Sequence, residues 1–305
     1  MNENSYTTEE VANILKVSKL TIYDLIKKGQ LPAYKVGKQM RVDSDELYAY
    51  KQRNKMSSNT EVTNMSPLQK PNADSIIISG QDICLDLVGS HLESVTKVKT
   101  LRSYKGSLNS LISMYQGQCD IVSVHLFDGE TNQYNLPYVK RILTGRSFML
   151  VNLIYRQAGF YVQKNNPKQI QSWNDLFEKN IKMVNRETGA GARVLLDEQL
   201  KIHGISPKNL QGYKNEESNH LSVANVVKQG KADVGVGIKR AAEILDVDFV
   251  PLINESYDLV ILKTDENQLW LNKVLSILRS SEFKQELKAI GGYNTIDTGK
   301  IMYEQ

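Results

Sequence analysis

The amino-acid sequence predicts an α/β fold in two parts, a small helical unit followed by a larger domain of alternating strands and helices. Three observations support this prediction. Apolar residues recur at helical spacing over 6–53, a polar stretch without periodicity covers 54–73, and short apolar runs alternate with amphipathic segments from 74 onward. The 305 residues are enough for two or three compact units. The predicted domains are therefore 1–53 and 74–305, separated by a linker.

Two predicted helices joined by a tight turn open the N-terminal unit. Thr7 or Thr8 can cap the first helix, and Ser18 can cap the second, which covers 19–28 and ends at Gly29. We expect Val11, Ala12, Ile14 and Leu15 on the buried side of the first helix. The apolar positions of the second helix are Leu20, Ile22, Leu25 and Ile26, and its polar side chains lie opposite the last three of these.

A predicted wing follows the two helices. Two short strands cover 33–42 around Gly37, and a last helix begins near Ser44. This arrangement is typical of a DNA-binding winged helix-turn-helix, in which the second helix enters the major groove. The residues expected to contact DNA are polar or basic side chains of the second helix and the wing: Ser18, Lys19, Thr21, Tyr23, Lys27, Lys35, Lys38 and Arg41.

Charge is distributed unevenly along the chain. The net charge is +4, and residues 1–55 contain ten Lys and Arg against seven Asp and Glu, whereas the rest of the chain contains 28 against 27. A local basic excess is the minimal electrostatic requirement for binding phosphate backbones. A solvated charged face would show the same excess, so charge alone leaves both interpretations open.

Residues 6–51 resemble the excisionase/MerR-like winged helix-turn-helix family. The matching elements are TTEEVA at 7–12, VS-x-x-TIY at 17–23, the hinge and wing G-x-LPAYKVG at 29–37, and Arg41-Val42 followed by an acidic helix start. The resemblance implies that this unit binds double-stranded DNA. A small helical domain that contacts other proteins is the alternative.

The larger domain shows a long alternation of strands and helices. The predicted strands are 75–79, 95–100, 120–124, 148–155, 181–185 and 233–237, and the predicted helices are 82–92, 107–117, 191–203 and 222–230. Such an alternation predicts a largely parallel sheet. The stretch 54–73 is rich in Ser, Asn, Thr and Pro, which favours a linker over a surface loop within one domain.

Membrane and secreted classes are disfavoured. The longest strongly apolar run is FMLVNLIY at 148–155, far shorter than the roughly 20 residues of a membrane span. The N-terminal residues MNENSYTTEE are polar and acidic, unlike a secretory signal. Cys84 and Cys119 lack metal or redox spacing, which suggests a reducing compartment. We therefore expect a cytoplasmic protein without a membrane partner.

We expect neither catalysis nor a cofactor. No cysteine has a base nearby in a recognisable motif, and the four histidines form no metal-ligand cluster. Asp120 and Asp233 follow GQC and GKA as the first residues of predicted strands. At such positions a carboxylate more readily accepts hydrogen bonds from backbone amides than acts as an acid or base.

Three loops of the larger domain share one design, in which a strand ends, small or hydroxyl residues follow, and a helix begins. They cover 79–82, 103–108 and 185–192, the last of which is NRETGAGA. Ligands of open α/β sheets bind outside the carboxyl ends of strands, and free amides at helix N-termini suit an anion. At a single strand-to-helix turn, glycines usually serve only the backbone conformation of the turn. Three such loops together favour an anion pocket.

Residues 74–300 are similar to the type II periplasmic binding-protein fold, in the cytoplasmic form fused to helix-turn-helix regulators and related to molybdate-binding proteins. The segments that carry this resemblance are SGQDICLDLV, GSLNSLISMYQGQCDIVSVHLFDGETNQYNLPYV, VNRETGAGARVLLDEQL, GYKNEESNHLSVANVVKQGKADVGVGI and FVPLINESYDLVI. The resemblance implies a two-lobed fold with crossover strands and a ligand between the lobes. The first lobe would be about 74–158 and 257–305, and the second about 159–256.

The same resemblance implies a set of ligand-binding residues. They are Ser79, Ser107, His125, Asn185, Arg186, Thr188, Gly191, His220, Ser222 and Tyr257. His125 and His220 could instead make satisfied polar contacts in turns, and Arg186 could pair with Glu187 or a surface acid. Where relatives often carry Ser or Thr after the second glycine of the loop, this chain has Ala192, which removes one hydroxyl donor.

The function that these features predict is a cytoplasmic one-component transcriptional regulator. Its partners would be double-stranded DNA, a small anion for which molybdate or tungstate is the expected identity, and a second copy of the chain in a homodimer. Two alternatives stay open: a DNA-binding protein with a different effector or none, and a soluble small-ligand binding protein.

Overall fold

The computed structural model describes residues 5–15, 17–27, 31–37, 39–44, 46–47, 50, 75–178 and 180–305. Its contacts divide the chain into two units, 1–64 and 65–305. The predicted linker over 54–73, the helix end at Gly29 and the wing residue Lys38 lie outside the described residues.

Two helices and a three-stranded antiparallel sheet form the described part of the N-terminal unit. In chain order the elements are β1 (Ser5–Thr7), α1 (Thr8–Leu15), α2 (Lys19–Lys27), β2 (Tyr34–Val36) and β3 (Gln39–Asp43). β3 is the central strand and pairs with both β1 and β2. Gly37 follows β2 at φ 62°, a left-handed conformation that glycine adopts without strain. The helix pair and the two wing strands are confirmed, whereas β1 was absent from the prediction.

Side-chain caps define where both helices begin. The Oγ1 of Thr7 accepts a hydrogen bond from the Glu10 amide at 3.3 Å, and the Thr7 amide donates to Oε2 of Glu10 at 2.7 Å. This reciprocal pair is a capping box, so Thr7 rather than Thr8 caps α1. Ser18 accepts from the Thr21 amide at 3.1 Å and caps α2, as predicted.

The core of the N-terminal unit is small. It consists of Val11, Ala12, Ile22, Leu31, Val42 and Leu47. One predicted core position is wrong, since Ile14 is 40% exposed, and the apolar Leu20 of α2 is 81% exposed. Leu20 lies about 200° around the helix from Ile22, on the opposite side of α2. Ile14 projects from the edge of the buried face of α1.

The larger unit continues the alternation to the C-terminal end. Its elements are β4 (Ser75–Ser79), α3 (Cys84–Thr96), β5 (Lys99–Ser103), α4 (Ser107–Tyr115), β6 (Ile121–Val124), β7 (Phe127–Asp128), β8 (Gln133–Tyr134), α5 (Leu136–Ile142), β9 (Phe148–Val162), α6 (Asp175–Glu178), β10 (Met183–Arg186), α7 (Gly191–Ile202), β11 (Glu216–Glu217), α8 (His220–Lys228), β12 (Val234–Ile238), α9 (Lys239–Leu245), β13 (Asp248–Leu262), α10 (Gln268–Arg279), α11 (Ser281–Ile290) and β14 (Ile301–Glu304).

One continuous nine-stranded sheet passes through both lobes. Its order is β11-β10-β12-β9-β13-β6-β4-β5, and β14 also pairs with β9. The pairs of β4 with β5 and β6, and of β10 with β11 and β12, are parallel. The largely parallel sheet is nevertheless a wrong prediction, because β9 and β13 are antiparallel to each other and to their outer neighbours. The chain crosses between the lobes along β9 and returns along β13, which fixes their opposite directions.

Several element boundaries differ from the prediction. The predicted strand over 148–155 continues to Val162, and the helix that begins at Cys84 continues to Thr96. The left-handed Lys97 ends that helix at φ 63°, so the following strand begins only at Lys99. β13 interrupts its pairing with β9 by register shifts between Pro251 and Ile253 and between Tyr257 and Asp258. Such bulges bend a sheet locally.

The helix α7 contacts the packed interiors of both lobes. Its Ala192 and Leu195 belong to a second-lobe cluster with Phe160 and Val236. Its Val194 belongs instead to a first-lobe cluster that includes side chains of β6 and the first half of β9. The lobes are therefore closed on each other along this helix.

Candidate functional site

A cavity of about 210 Å³ lies between the two lobes. Its lining residues are Gln81, Asp82, Ile83, His125, Arg156, Asn219, His220, Leu221, Ile238, Arg240, Ala241, Ile244, Tyr257 and Tyr293. The first lobe contributes the loop after β4 and the residue after β6, and the second contributes the start of α8 and one face of α9. The crossover strands β9 and β13 supply the remaining wall.

A buried ion-pair network occupies the wall formed by the crossover strands. Arg156 of β9 lies opposite Glu255 of β13 in the register of the two strands. Its Nε contacts Oε1 of Glu255, and its Nη1 contacts Oδ2 of Asp82 from the loop after β4. All three side chains are no more than 4% exposed, so the network is desolvated. Arg156 thus links both crossover strands to the first-lobe loop.

The two carboxylates of this network respond differently to burial. Burial raises the pKa of Glu255 above its ordinary value, and the charge of Arg156 offsets only part of that effect. Burial acts on Asp82 in the same direction, but Arg156 and hydrogen bonds from the Cys84 amide and the Tyr293 hydroxyl outweigh it. Those two donors lie 3.0 and 2.6 Å from Oδ1 of Asp82. The pKa of Asp82 is therefore below its ordinary value, and Asp82 is the firmly ionised partner.

His125 and Tyr257 form the deep part of the cavity. Nδ1 of His125 lies 2.9 Å from Oγ of Ser107, and its ring packs against Tyr257 with centroids 5.2 Å apart. The Tyr257 hydroxyl lies 2.7 Å from Oγ of Ser123, and the Arg156 guanidinium lies 4.3 Å from its ring centroid. The structure brings both residues to the cavity.

His220 begins α8 on the opposite side of the cavity. Asn219 caps this helix by accepting a hydrogen bond from the Ser222 amide at 2.8 Å. Nδ1 of His220 is buried, and among the described residues it has no hydrogen-bond partner. Burial, followed by the charges of Arg186 and Arg156, holds the pKa of His220 well below its ordinary value. The imidazole is therefore neutral and offers one unsatisfied ring nitrogen.

The two cavity histidines should make folding stability depend on pH. Burial and the same two arginines also lower the pKa of His125, so the folded state resists protonation at both sites. Below the ordinary histidine pKa of about 6.5, the unfolded chain binds protons that the folded chain does not, and stability falls as the pH falls. Replacing His125 and His220 with glutamine should flatten this fall by up to about 1.4 kcal/mol per pH unit for each histidine.

Urea unfolding between pH 7 and pH 5.5 measures this slope. The same substitution at the exposed His203 is the matched control and should leave the slope of the wild-type chain unchanged. An unaltered slope in the double variant would mean that the cavity histidines titrate normally.

Arg186 joins the lobes through Gln81. The Nη2 of Arg186 donates to Oε1 of Gln81 at 2.6 Å and to the Ser218 carbonyl at 3.1 Å. Its Nε pairs with Oε2 of Glu187 at 2.7 Å, so the pairing left open by the sequence is present. Nε2 of the Gln81 side chain in turn donates to Oε1 of Glu187 at 3.1 Å. These three residues hold the loop after β4 against the loop after β10.

The loops at 103–108 and 185–192 close directly on one another. The Leu108 amide donates to the Gly189 carbonyl at 3.0 Å, and a Cβ on Gly106 would lie 2.9 Å from that oxygen. A Cβ on Gly191 would overlap the His125 ring and lie 2.7 Å from the His125 carbonyl. Glycine is needed here for close approach of backbone to backbone. The helix N-termini that suggested an anion site therefore contact protein groups in this closed arrangement.

The remaining predicted ligand residues lie outside the cavity lining. Oγ of Ser79 is 2.8 Å from Oγ of Ser110, and Nδ2 of the Asn185 side chain donates to the Tyr213 carbonyl at 3.2 Å. Thr188 is exposed and donates to Glu216 at 3.3 Å, while Ser222 donates to its own helix cap at 3.1 Å. Ala192 is 3% exposed in an apolar cluster, so a hydroxyl there would face the core. Of the ten residues, His125, His220 and Tyr257 line the cavity.

Sequence reasoning missed the charged centre of the site. Arg156, Glu255 and Asp82 were absent from the predicted residues, as were Gln81 and Tyr293. One signal was available, because Arg156 directly follows an eight-residue apolar run. A charged residue within an otherwise buried strand is rarely tolerated without a partner.

A second candidate site is the exposed face of α2 and the wing. Ser18, Lys19, Thr21, Tyr23 and Lys27 are all exposed, and Lys35 is exposed on β2. The exposed Leu20 joins this face, although it was not among the residues predicted to contact DNA. Apolar side chains can contact thymine methyl groups in the major groove.

Two predicted DNA-contacting residues have partners within the unit. Nζ of Lys19 lies 3.1 Å from Oε2 of Glu9, in a surface pair whose side chains are 50% and 72% exposed. Such pairs contribute little to stability and exchange readily for phosphate contacts. Nη1 of Arg41 donates to Oγ of Ser5 at 3.1 Å and is half-buried, so it braces β1 against β3.

The two aspartates considered for acid–base roles satisfy backbone amides. Oδ2 of Asp120 accepts from the Ile77 amide at 2.9 Å, and Oδ2 of Asp233 accepts from the Lys182 amide at 2.8 Å. The predicted hydrogen bonds from backbone amides are confirmed. Within the described ranges, no group of three or more His, Cys, Asp or Glu could hold a metal ion. Across the same part of the chain, no helix is long and apolar enough to cross a membrane.

Comparisons with known proteins agree with the two units. A family model for a helix-turn-helix domain matches residues 5–55, and a model for the PBP superfamily domain matches residues 89–279. The chain is 53% identical over 312 residues to the Bacillus subtilis (strain 168) protein called Uncharacterized protein YvgK, covering 100% of both chains.

Solved structures similar to this chain are type II periplasmic binding proteins. PhnD1 from Prochlorococcus marinus (MIT 9301), in complex with methylphosphonate, is 16% identical with a TM-score of 0.54, covering 73% of this chain and 92% of that chain. An ABC-type phosphate transport receptor from Vibrio cholerae is 15% identical with a TM-score of 0.50, covering 72% and 99%. At these identities the likeness shows the fold alone. The chain therefore belongs to the PBP superfamily and carries a helix-turn-helix domain at its N-terminal end.

Proposed function

We propose that this protein is a one-component transcriptional regulator in which a small ligand bound between the lobes changes the affinity for DNA. The observation that carries the proposal is the presence in one chain of a helix-turn-helix domain and a PBP-superfamily domain with a cavity between its lobes. The first indicates DNA binding, and the second indicates binding of a small ligand. A regulator of this kind acts in the cytoplasm, where its DNA is.

Lobe closure is the conformational variable that the ligand would control. The loops after β4 and β10 meet through Gln81, Arg186 and Glu187, next to the cavity. A ligand that contacts both lobes stabilises the closed state in proportion to its preference for that state. A coupling free energy of about 1–3 kcal/mol between ligand and DNA is typical of such systems.

Molybdate or tungstate is the effector that the family resemblance implies, and this identity stays a prediction. In its favour stand the buried guanidinium groups of Arg156 and Arg186 near the cavity. We also propose a homodimer, because a single small helix-turn-helix module binds weakly and paired half-sites match a two-fold symmetric protein.

The regulator hypothesis is tested with the full chain and the DNA upstream of its own gene. DNA affinity is measured by fluorescence anisotropy without additive and with molybdate, tungstate, sulfate or phosphate. The proposal predicts that the chain binds this DNA and that the correct effector changes the DNA affinity by about 5- to 150-fold. A change of that size corresponds to the coupling free energy given above. A chain that binds a ligand in the cleft but shows no salt-sensitive DNA binding would be a binding protein instead.

Replacing Lys19 and Lys27 with alanine should weaken DNA binding chiefly at low salt. Each phosphate contact that is lost lowers the slope of log K against log salt by about 0.9, because fewer counterions are released. The slope is obtained from DNA titrations between 50 and 300 mM potassium chloride. Replacing Lys168 and Lys231, two exposed lysines of the larger unit, with alanine is the matched control and should leave the slope intact. An unchanged slope in the first variant would remove both lysines from the DNA interface.

A further inference from the structure

We infer that the cleft takes an uncharged small organic molecule, one that combines an aliphatic group with a hydrogen-bonding polar group, in preference to a bare inorganic oxyanion. The inference rests on the proposed function, since it names the ligand class of the same cavity. Three features of the lining carry it: its apolar mouth, its charge balance and its unsatisfied imidazole nitrogen.

Large aliphatic side chains surround the mouth of the cavity. Ile83 of the first lobe is 58% exposed, and Leu221 and Ile244 of the second lobe are 43% and 56% exposed. All three line the cavity, together with the more buried Ile238 and Ala241. Aliphatic side chains left this exposed on both sides of a concave site mark a binding surface for apolar groups. A tetrahedral oxyanion gains nothing from such walls.

The charges around the cavity are already balanced. Arg156 pairs with both Asp82 and Glu255, and Nη1 of Arg240 lies 3.7 Å from Oε2 of Glu243. Arg186, which lies behind the lining, pairs with Glu187. At Arg156 a bare dianion would have to compete with the buried carboxylates of Asp82 and Glu255 and would be repelled by both. Bringing an uncompensated charge into such a site is unfavourable, whereas an uncharged ligand leaves the pairs intact.

The polar part of the ligand is specified by His220. Its Nδ1 is buried and lacks a partner among the described residues, and the side chain lines the cavity. An unmade hydrogen bond of a buried group is costly, so a ligand that supplies the partner gains affinity. A neutral imidazole nitrogen either donates or accepts, depending on the tautomer. A carboxamide carries both an N–H donor and a carbonyl acceptor and satisfies either tautomer.

Three probes that share one branched aliphatic group separate charge from shape. They are isovaleramide, which is neutral, isovalerate, which is anionic, and isoamylamine, which is cationic. Each is titrated into the full chain by saturation-transfer NMR and calorimetry at pH 7.5, alongside molybdate. We expect isovaleramide to bind at least about tenfold more tightly than isovalerate, because Arg156 and Arg240 of the lining are already paired with carboxylates. Tighter binding of isovalerate, isoamylamine or molybdate, or no binding of isovaleramide, would overturn the inference.

Variants place the binding in the cavity. Ile244→Ala should weaken isovaleramide about fivefold, since several partly exposed methyl and methylene groups are lost. Leu269→Ala changes an 84% exposed aliphatic residue outside the lining and should have no effect. Equal affinities of both variants would show that the amide binds elsewhere and would overturn the inference.

The same samples separate this inference from the proposed function. DNA affinity is measured with and without saturating isovaleramide. Molybdate binding that changes DNA affinity would leave the regulator proposal standing and refute the uncharged ligand class. Isovaleramide binding in the cavity without any change in DNA affinity would uphold the ligand class and count against the regulator proposal.

Discussion

Replacing Arg156 with methionine should lower the free energy of unfolding of the larger unit by about 3–5 kcal/mol, because it leaves two buried carboxylates without their cation. Asp82 and Glu255 are each no more than 4% exposed and both contact the guanidinium. The loss of stability is largest at neutral pH, where both carboxylates are ionised in the unfolded chain. Urea unfolding followed by circular dichroism at pH 7.5 measures the loss.

The pH dependence identifies the cause of this loss. Burial already raises the pKa of Glu255 above its ordinary value, and losing the charge of Arg156 raises that pKa further, so the deficit shrinks as the pH falls through it. The triple variant Arg156→Met, Asp82→Asn, Glu255→Gln removes the uncompensated charges and should recover most of the stability at pH 7.5. Lys164→Met breaks an exposed pair with Asp246 and is expected to leave the melting temperature unchanged. A deficit in the single variant that persists in the triple variant would assign it to lost packing instead.

The elements that could be predicted from the sequence are those whose burial is uniform or strictly periodic. β4 is a uniformly buried strand of three isoleucines between two serines and was predicted at its observed bounds, 75–79. β13 was not predicted as a single strand, since Pro251 and the polar residues 254–256 interrupt its pattern. Those residues are accommodated by the register shifts and by the cross-strand partner Arg156. Only the neighbouring strand explains why they belong to a strand at all.

The candidate site was predictable in outline and not in its contacts. The three loops were located correctly along the chain, but their hydroxyl and amide groups are used by partners distant in sequence. Ser79 meets Ser110, and Leu108 meets Gly189 across the two lobes. Whether a loop faces a cavity or another loop depends on how the lobes close, which no local pattern encodes. His220 is the opposite case. It was predicted as a ligand-binding residue and lines the cavity, but nothing in the sequence indicated that its Nδ1 lacks a hydrogen-bond partner within the described part of the chain.

Ile22→Ala should unfold the N-terminal unit and abolish DNA binding while the larger unit stays folded. Ile22 is fully buried and is one of six residues in that unit's core cluster. Truncating a buried isoleucine to alanine costs about 2–5 kcal/mol, and a domain of this size has little stability to lose. Hydrogen exchange read by mass spectrometry on the full chain should show faster exchange in α1 and α2 and unchanged exchange in β9 and β13. DNA affinity should fall more than about tenfold, because a loss of stability of this size leaves only a small fraction of the chains with a folded helix-turn-helix.

Leu20→Ala separates folding from DNA contact, because it removes a similar volume from the same helix at a residue that is 81% exposed. This variant should keep the exchange protection of α1 and α2, since Leu20 contributes nothing to the buried face. If Leu20 touches DNA, its replacement lowers DNA affinity without loosening the unit, whereas Ile22→Ala lowers both together. Retained protection in Ile22→Ala would contradict the six-residue core, and lost protection in Leu20→Ala would contradict the exposed position of that side chain. The pair therefore tells apart the two faces of one helix, one that holds the unit together and one that is free to enter a groove.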